Sequence, residues 1–241
     1  MKISLSKVML LAAVFAAGTV GLAPAAMAGN QDRMYRVTVR DATLGQPLSP
    51  PVIATHTAAF QLFELGPVPM MGDAGYDLYF GLAAVAETGY PFHLRDAVAA
   101  ADGVWEAVAL PPVLHPGESN STTISASGNA KYLSIASMLG RTNDGFWALR
   151  GVALPHGVGD TVRYFADGYD AGSEANAESA GTVGGGDGDD GESGFGINDG
   201  SGEGFISVHA GIHGVGGAGG LDPAVDDWRD PVVEVTIERV E

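Results

Sequence analysis

Apolar and polar residues alternate in two segments near opposite ends of the chain, around Val37 and around Val235. An alternation of period two with one apolar face is typical of a half-buried β-strand. The polar positions carry arginine in the first segment and glutamate in the second. Because opposite charges that face each other across a ladder favour pairing, the sequence predicts that these two strands are neighbours in one sheet.

Between these segments lie further short β-like runs, separated by turns rich in Gly, Pro and Asn. They cover residues 104–110, 122–127, 132–139, 147–154 and 161–165. Two Ala-rich runs, residues 81–87 and 94–101, are predicted to be short helices. Several short strands at this spacing are typical of an antiparallel sandwich. The predicted fold class is therefore all-β, an antiparallel β-sandwich with short helical decorations.

Composition divides the chain further. Residues 1–28 have the basic start, the short apolar stretch and the small-x-small ending of a secretory signal peptide. Residues 181–204 contain 11 Gly, six Asp or Glu and no Lys or Arg, which predicts a long flexible Gly/Asp-rich loop. The predicted organisation is a signal peptide over residues 1–28 and a single β-sandwich domain over residues 29–241.

Charge and cysteine content exclude several classes of function. The chain has 12 Lys or Arg and 29 Asp or Glu, and removal of Lys2 and Lys7 with the signal leaves a net charge of 10 − 29 = −19. Such a balance excludes a basic stripe for nucleic acid and electrostatic attachment to anionic lipid. No segment after the signal is long and apolar enough for a membrane anchor, so we expect a secreted or periplasmic protein. Without cysteine there are no disulfides, thiolate nucleophiles or iron–sulfur sites.

Two acidic turns carry the candidate chemistry. Asp144 lies in an Asn-Asp-Gly turn, and Asp170 and Glu174 flank a bend at Gly172. If the turns meet, three carboxylates would offer the oxygen ligands that a hard divalent cation prefers. The alternative is that these are ordinary solvated turn acids in a very acidic protein. Spacing alone leaves both interpretations open.

A resemblance to the spondin domain favours the metal site. The similar segments are residues 43–52, 133–139, 142–146, 169–174 and 228–237, and the similarity covers nearly all of residues 33–240. The Tyr-Asp-Ala-Gly sequence at residues 169–172 is a fairly specific part of it. The resemblance implies a C2-like β-sandwich with a calcium site in loops at one end. It places the calcium ligands on Asp144, Asp170 and Glu174, and the animal members of the family are extracellular-matrix adhesion proteins.

The chain also departs from the family pattern. Glu174 stands where the animal proteins have Asp, and the chain lacks their cysteines and the repeats that follow the domain. It also carries the long glycine-acid loop at residues 181–204. Glu keeps the negative charge of Asp but has a longer side chain. The change at residue 174 is therefore expected to alter the affinity for the metal rather than to abolish metal binding.

Other motifs are weaker. Residues 199–206 resemble the first half of an EF-hand loop, but Ala210 stands where the bidentate Glu is required. His209 and His213 are four residues apart, but the glycines around them argue against the helix of a zinc protease. No Gly-x-Ser-x-Gly elbow surrounds any serine in the Ser-rich stretches.

The sequence therefore predicts an exported, non-catalytic, calcium-binding β-sandwich module. Its expected role is adhesion or binding at the cell surface or matrix, with an extracellular protein or polysaccharide as partner. Two alternatives remain open: a metal-dependent hydrolase that uses the same acids, and a purely structural matrix or biofilm component. The hydrolase would require a general base and oxyanion donors near the metal, and no such set is evident from the sequence.

Overall fold

The computed structural model describes residues 32–179, residue 183 and residues 202–241. The predicted signal peptide lies outside the described residues, as does most of the predicted loop at residues 181–204. Within the described residues, no helix is long and apolar enough to cross a membrane.

The described residues are mostly antiparallel β-sheet with two helices, which confirms the all-β class. The strands are β1 (Arg33–Asp41), β2 (Val52–His56), β3 (Gly66–Pro67), β4 (Val104–Ala109), β5 (Ser119–Ala126), β6 (Tyr132–Met138), β7 (Gly145–Ala153), β8 (Thr161–Asp170), β9 (Phe205–Val208) and β10 (Val233–Arg239). The helices are α1 (Tyr76–Thr88) and α2 (Phe92–Ala100), which contain all of the first Ala-rich run and all but the last residue of the second.

The sheet follows the order β4-β2-β6-β7-β8-β10-β1-β5, and β9 pairs with both β8 and β3. Strand β8 joins its two halves, because its first part pairs with β10 and its last part pairs with β7. The two outermost strands approach each other and nearly close the sheet into a barrel. The Glu106 carboxylate on β4 accepts hydrogen bonds from the backbone N–H and the hydroxyl of Ser125 on β5, at 2.6 and 2.5 Å.

The predicted pairing of the first and last strands is confirmed. Strands β1 and β10 are antiparallel, with Arg36 opposite Glu238 and Arg40 opposite Glu234. The Arg36 guanidinium lies 2.8 Å from the Glu238 carboxylate, and the Arg40 guanidinium lies 3.8 Å from that of Glu234. The apolar faces of both strands are fully buried. The buried apolar face therefore sets the register of the two strands. In that register the opposite charges on the outer face lie opposite each other.

Two separate apolar cores lie on the two faces of the sheet. The inner core fills the interior of the curved sheet, whereas the outer core lies between the sheet and the two helices. Strand β7 contributes to both, because Trp147 and Leu149 point inward and Phe146 and Ala148 point outward. A strand buried on both faces has a continuous apolar sequence rather than an alternating one. This explains the unbroken apolar run after Gly145.

The segment between β2 and α1 covers the outer face of β7 and β8. The Phe63 ring makes edge contacts with the rings of Phe146 and Tyr169, each at a centroid distance of 5.1 Å. Phe146 and Tyr169 are paired in the β7–β8 ladder and stack on each other at 5.5 Å. Asp144 and Asp170 lie beside these two aromatic residues in the chain, so this packing fixes the strand ends that carry the two acids.

The Arg–Glu pairs between β1 and β10 can be tested by charge reversal. Arg36→Glu places like charges opposite each other and is expected to lower the free energy of unfolding by about 0.5–1 kcal/mol. The double variant Arg36→Glu/Glu238→Arg restores an opposite-charge pair and is expected to recover most of the loss. Urea denaturation at low salt measures both changes. A double variant no more stable than Arg36→Glu would show that the Arg36–Glu238 pair does not stabilise the fold.

Candidate metal centre

The candidate site lies at one end of the sheet, where β7 begins and β8 ends. Gly145, the first residue of β7, pairs with Asp170, the last residue of β8. Asp144 directly precedes Gly145, and its backbone carbonyl accepts a hydrogen bond from Ala171 N–H at 3.2 Å. The ladder therefore brings the two acidic turns together, which spacing alone had left open.

Thr142 shapes the turn that presents Asp144. Its hydroxyl donates to the Leu139 carbonyl at 2.6 Å and accepts a hydrogen bond from Gly145 N–H at 2.9 Å. Thr142 is fully buried. Threonine favours such local bonds to the backbone, which compete with continued strand pairing. The hydroxyl thus closes the connection between β6 and β7 and fixes Asp144 at its end.

Glycines bring a third acid to the site. The Asp170 carboxylate accepts a hydrogen bond from Gly172 N–H at 2.7 Å, and Gly172 has a φ of +67°, which favours glycine. A Cβ at Gly172 would lie only 2.2 Å from the Phe205 carbonyl oxygen, and a Cβ at Gly202 would lie 2.4 Å from the Ser173 carbonyl carbon. The residues before β9 can therefore lie directly on the loop after β8, and Glu203 is among them.

The carboxylates of Asp144, Asp170 and Glu203 converge. One oxygen from each lies within 4.8 Å of the other two. Asp144 is 0% exposed and Asp170 is 4% exposed, whereas Glu203 is exposed. The group therefore has a buried base and a rim open to solvent.

Hydrogen bonds satisfy only part of this group. One oxygen of Asp144, Oδ2, accepts from the backbone N–H groups of Ser173 and Glu174 at 2.8 and 3.0 Å and from the Ser173 hydroxyl at 3.2 Å. The other oxygen, Oδ1, is buried and has no hydrogen-bond partner among the described residues. The Asn176 side-chain amide donates to Asp170 and, at 3.4 Å, to Glu203.

The environment raises the pKa of both buried acids. Burial, and then the nearby Asp170 charge, raise the pKa of Asp144 to about 7, although the N–H groups of Glu174 and Ser173 oppose the rise. Burial also raises the pKa of Asp170, against hydrogen bonds from Asn176 and Gly172. Two close carboxylates do not ionise independently, so these two acids titrate as a pair.

This arrangement can hold a metal ion. Three carboxylates provide oxygen ligands, the solvent-facing rim leaves space for water, and a positive charge would neutralise the buried acids. The unpartnered Oδ1 of Asp144 is the most specific indication of a bound ion, because buried polar atoms without a partner are rare and call for an explanation. An ion at this position would provide the missing partner.

The structure places the predicted site residues as follows. Asp144 and Asp170 lie together, and the third converging carboxylate belongs to Glu203. Glu174 is adjacent and partly buried, and its backbone N–H binds Asp144. A role for the Glu174 side chain as a ligand stays a prediction.

Glu203 was missed because its placement depends on strand β9, which is four residues long and follows the glycine-acid segment. The usable signal was the acid in the Asp-Gly-Ser-Gly-Glu-Gly run at residues 199–204, immediately before Phe205 and Ile206. The same run resembles half of an EF-hand loop, and that local pattern gives no sign that Glu203 joins the two acidic turns.

The two closely spaced histidines lie outside the converging group. His209 is half-buried, and its ring packs against Trp228 at a centroid distance of 4.8 Å. Its Nδ1 accepts a hydrogen bond from Gly211 N–H at 3.0 Å. Backbone N–H groups of His213 and Val215 donate to the Glu178 carboxylate at 2.7 and 2.9 Å. These contacts order a loop.

Comparison with known proteins adds no assignment: no family model matches the chain, and no curated protein sequence matches it.

The buried charge of Asp144 predicts a pH dependence in protein stripped of metal. A raised pKa means that its contribution to stability is complete below the unfolded value of 3.8 and is lost as the pH rises through about 7. Asp144→Asn removes the charge but keeps an oxygen for the Ser173 and Glu174 N–H groups. In chelator at pH 8 it is expected to raise the free energy of unfolding by on the order of 2 kcal/mol.

The gain should shrink as the pH falls towards 5, because wild-type Asp144 is then protonated. Urea denaturation at both pH values measures it. The matched control is Asp102→Asn, which removes one negative charge from an exposed position. An Asp144→Asn variant that is less stable than wild type at pH 8 in chelator would contradict the assigned cost of this buried charge.

Proposed function

We propose that this chain is an exported, non-catalytic protein that binds one calcium ion through Asp144, Asp170 and Glu203. Its role is adhesion or binding at the cell surface or matrix. The observation that supports the metal is the buried Asp144 carboxylate, which has one oxygen without a partner among the described residues and two further carboxylates within 4.8 Å.

The electrostatics favour a bound cation. Burial raises the free energy of each charged carboxylate, and like charges in one cluster raise it further. A divalent ion reverses both effects. Binding to the folded state alone stabilises it by mass action, by about 2.7 kcal/mol at a hundredfold excess over the dissociation constant.

The donor set favours calcium over zinc and magnesium. All three side chains offer oxygen, whereas zinc sites usually include nitrogen or sulfur donors. The exposed Glu203 and the neighbouring loop allow waters and irregular geometry, which calcium accepts and magnesium tolerates poorly. The Asn176 amide, already in contact with Asp170 and Glu203, would offer its oxygen to an ion if the amide plane turned over.

The resemblance to the spondin domain supports the adhesion role. Two of the similar segments, residues 142–146 and 169–174, form the turns of the site. A C2-like form of the sheet is part of this proposal, supported by the antiparallel order and by the site's position at one end of the sheet. Export follows from the signal sequence, and extracellular calcium is abundant enough to fill a weak site of about 10⁻⁴ to 10⁻³ M.

We expect calcium to raise the melting temperature of the mature protein relative to chelator, and magnesium to do so less. Asp170→Asn and Glu203→Gln should each lose most of the calcium response, because each removes a charged ligand. Glu64→Gln is the matched control, since Glu64 is exposed and lies outside the cluster. Differential scanning calorimetry with and without calcium measures all four proteins.

Glu174→Gln separates the two candidate third ligands. If Glu203 is the ligand, Glu174→Gln keeps the calcium response and Glu203→Gln loses it. The reverse pattern would restore the ligand set predicted from the sequence. Equal responses of wild type, Asp170→Asn and Glu203→Gln would rule out the site.

The adhesion role requires a separate measurement. Binding of the mature protein to a glycan array and to immobilised matrix proteins is expected to depend on calcium. Asp170→Asn is expected to lose this binding at calcium concentrations that saturate the wild type. A protein that binds calcium but no polymer or protein would favour the structural matrix component over the adhesion module.

A further inference from the structure

A cavity lies on the outer face of the sheet, and no residue of the acidic cluster lines it. Its volume is about 410 Å³, and it lies between residues 58–63 and the strands β2, β6 and β7. Four rings form much of its lining, those of His56, Phe60, Phe63 and Tyr132. Gln61 and Arg150 add polar groups. Small-molecule sites typically combine such an apolar lining with a few polar groups.

Arg150 differs from most arginines of this chain. Five others, Arg36, Arg40, Arg95, Arg141 and Arg163, pair with carboxylates. Within the described residues Arg150 has no such partner, although the chain has 29 acids and 12 Lys or Arg. Its guanidinium instead lies 4.9 Å from the centre of the Phe63 ring and 5.7 Å from that of Tyr169.

These cation–π contacts position the guanidinium without using its hydrogen-bond donors. A guanidinium over an aromatic face is attracted by the ring, while its N–H groups stay free to bind an anion in the plane of the guanidinium. Phe63 and Tyr169 are themselves buried, so they form a rigid support. Arg150 is therefore pre-organised at the cavity, with its donors available.

His56 provides a neutral wall. The Thr57 carbonyl, 2.7 Å from Nδ1, can only accept a hydrogen bond, so Nδ1 carries the proton. Nε2, 2.9 Å from the Ser134 hydroxyl, is then the acceptor. The same hydroxyl accepts from Gly151 N–H at 2.9 Å, and burial lowers the pKa of His56. Among the residues that line the cavity, Arg150 is thus the cationic group.

The His56–Ser134 hydrogen bond does not indicate a hydrolase. Ser134 is only 1% exposed and is not among the residues that line the cavity, so a substrate there would not reach its hydroxyl. The hydroxyl instead satisfies Gly151 N–H where the pairing of β6 and β7 shifts its register. The cavity therefore offers recognition rather than a nucleophile.

We propose that this cavity binds a small ring-shaped molecule with a single carboxylate. The carboxylate would lie on the Arg150 fork, and the ring would lie against Phe60, Phe63 and Tyr132. A carboxylate matches a guanidinium with two parallel hydrogen bonds. One cation suits one negative charge, and the strongly negative protein disfavours polyanions. Uronic acid sugars and aromatic acids share this chemistry.

The site is independent of the metal proposal. Neither Arg150 nor any other residue lining the cavity belongs to the acidic cluster. Tyr169, whose ring contacts the Arg150 guanidinium, directly precedes Asp170 in the chain. Loss of ligand binding and loss of calcium binding can therefore be distinguished in one preparation.

Isothermal titration calorimetry with two matched probe pairs tests the proposal. The pairs are methyl galacturonate with methyl galactoside, and phenylacetate with phenylacetamide, each in calcium and in chelator. At least one acid is expected to bind about tenfold or more tightly than its neutral partner, because only the acid can make the charged fork. Which acid binds distinguishes the sugar from the aromatic source.

Arg150→Gln is expected to reduce the affinity for that acid about tenfold or more, to the level of the neutral partner. Arg150→Lys keeps the charge but loses the fork, so an intermediate affinity is expected. Arg163→Gln, an exposed arginine paired with Glu234, is the matched control and should bind as wild type. Melting temperatures confirm that the variants fold.

Two results would overturn the proposal. One is that neither acid binds at millimolar concentration while the same preparation is folded. The other is that an acid binds wild type and Arg150→Gln equally.

Discussion

The end of the sheet that carries the candidate site is organised around a buried negative charge. Asp144 is completely shielded from solvent, and its Oδ2 oxygen takes three hydrogen bonds from the loop after β8. Its Oδ1 oxygen has no hydrogen-bond partner among the described residues, and two further carboxylates each place one oxygen within 4.8 Å of the Asp144 carboxylate. A charge in this position disfavours folding unless a proton or a cation compensates it. The rest of the fold must hold the carboxylates together against this repulsion.

The sheet does so by using strands that are anchored elsewhere. Strand β8 pairs with β10 at one end and with β7 at the other, so the pairing of the first and last strands also fixes the strand that carries Asp170. On the outer face, Phe63 packs over Phe146 and Tyr169, which lie next to the acidic turns. Apolar packing on both faces thus supports a polar site that is unfavourable in isolation. The same aromatic rings position Arg150 beside its cavity, because its guanidinium lies over Phe63 and Tyr169.

Much of the fold could be predicted from local patterns. The pairing of β1 with β10 could be predicted from alternating residues with complementary charges. The residues that alternate in the sequence are the ones that face each other across the ladder. Strand β2 was missed, since all five of its residues are buried and no alternation marks it. Helix α1 begins five residues before the predicted run, because Leu78 and Tyr79 of its first turns pack in the outer core without raising the Ala content.

For the site residues, what the sequence could predict depends on whether a residue lies in a recognisable turn or is placed by long-range contacts. Asp144 and Asp170 could be named as candidates because each lies in a turn with its own sequence signature, although the spacing of the turns did not show that they meet. Glu203 could not be, because it reaches them only through the backbone contacts of Gly172 and Gly202, which no local pattern reports. The Arg150 cavity was also outside the reach of the sequence, because its lining comes from three strands and a loop that meet only in the folded sheet.

The proposed calcium ion at the buried Asp144 carboxylate can be located by crystallography. A crystal of the mature protein grown in calcium, with an anomalous difference map measured at long wavelength, locates every bound calcium ion. We expect a peak with oxygens of Asp144, Asp170 and Glu203 at about 2.3–2.6 Å, and with Oδ1 of Asp144 among them. A map without a peak between these carboxylates, in a crystal equilibrated with millimolar calcium at a pH above 7, would contradict it.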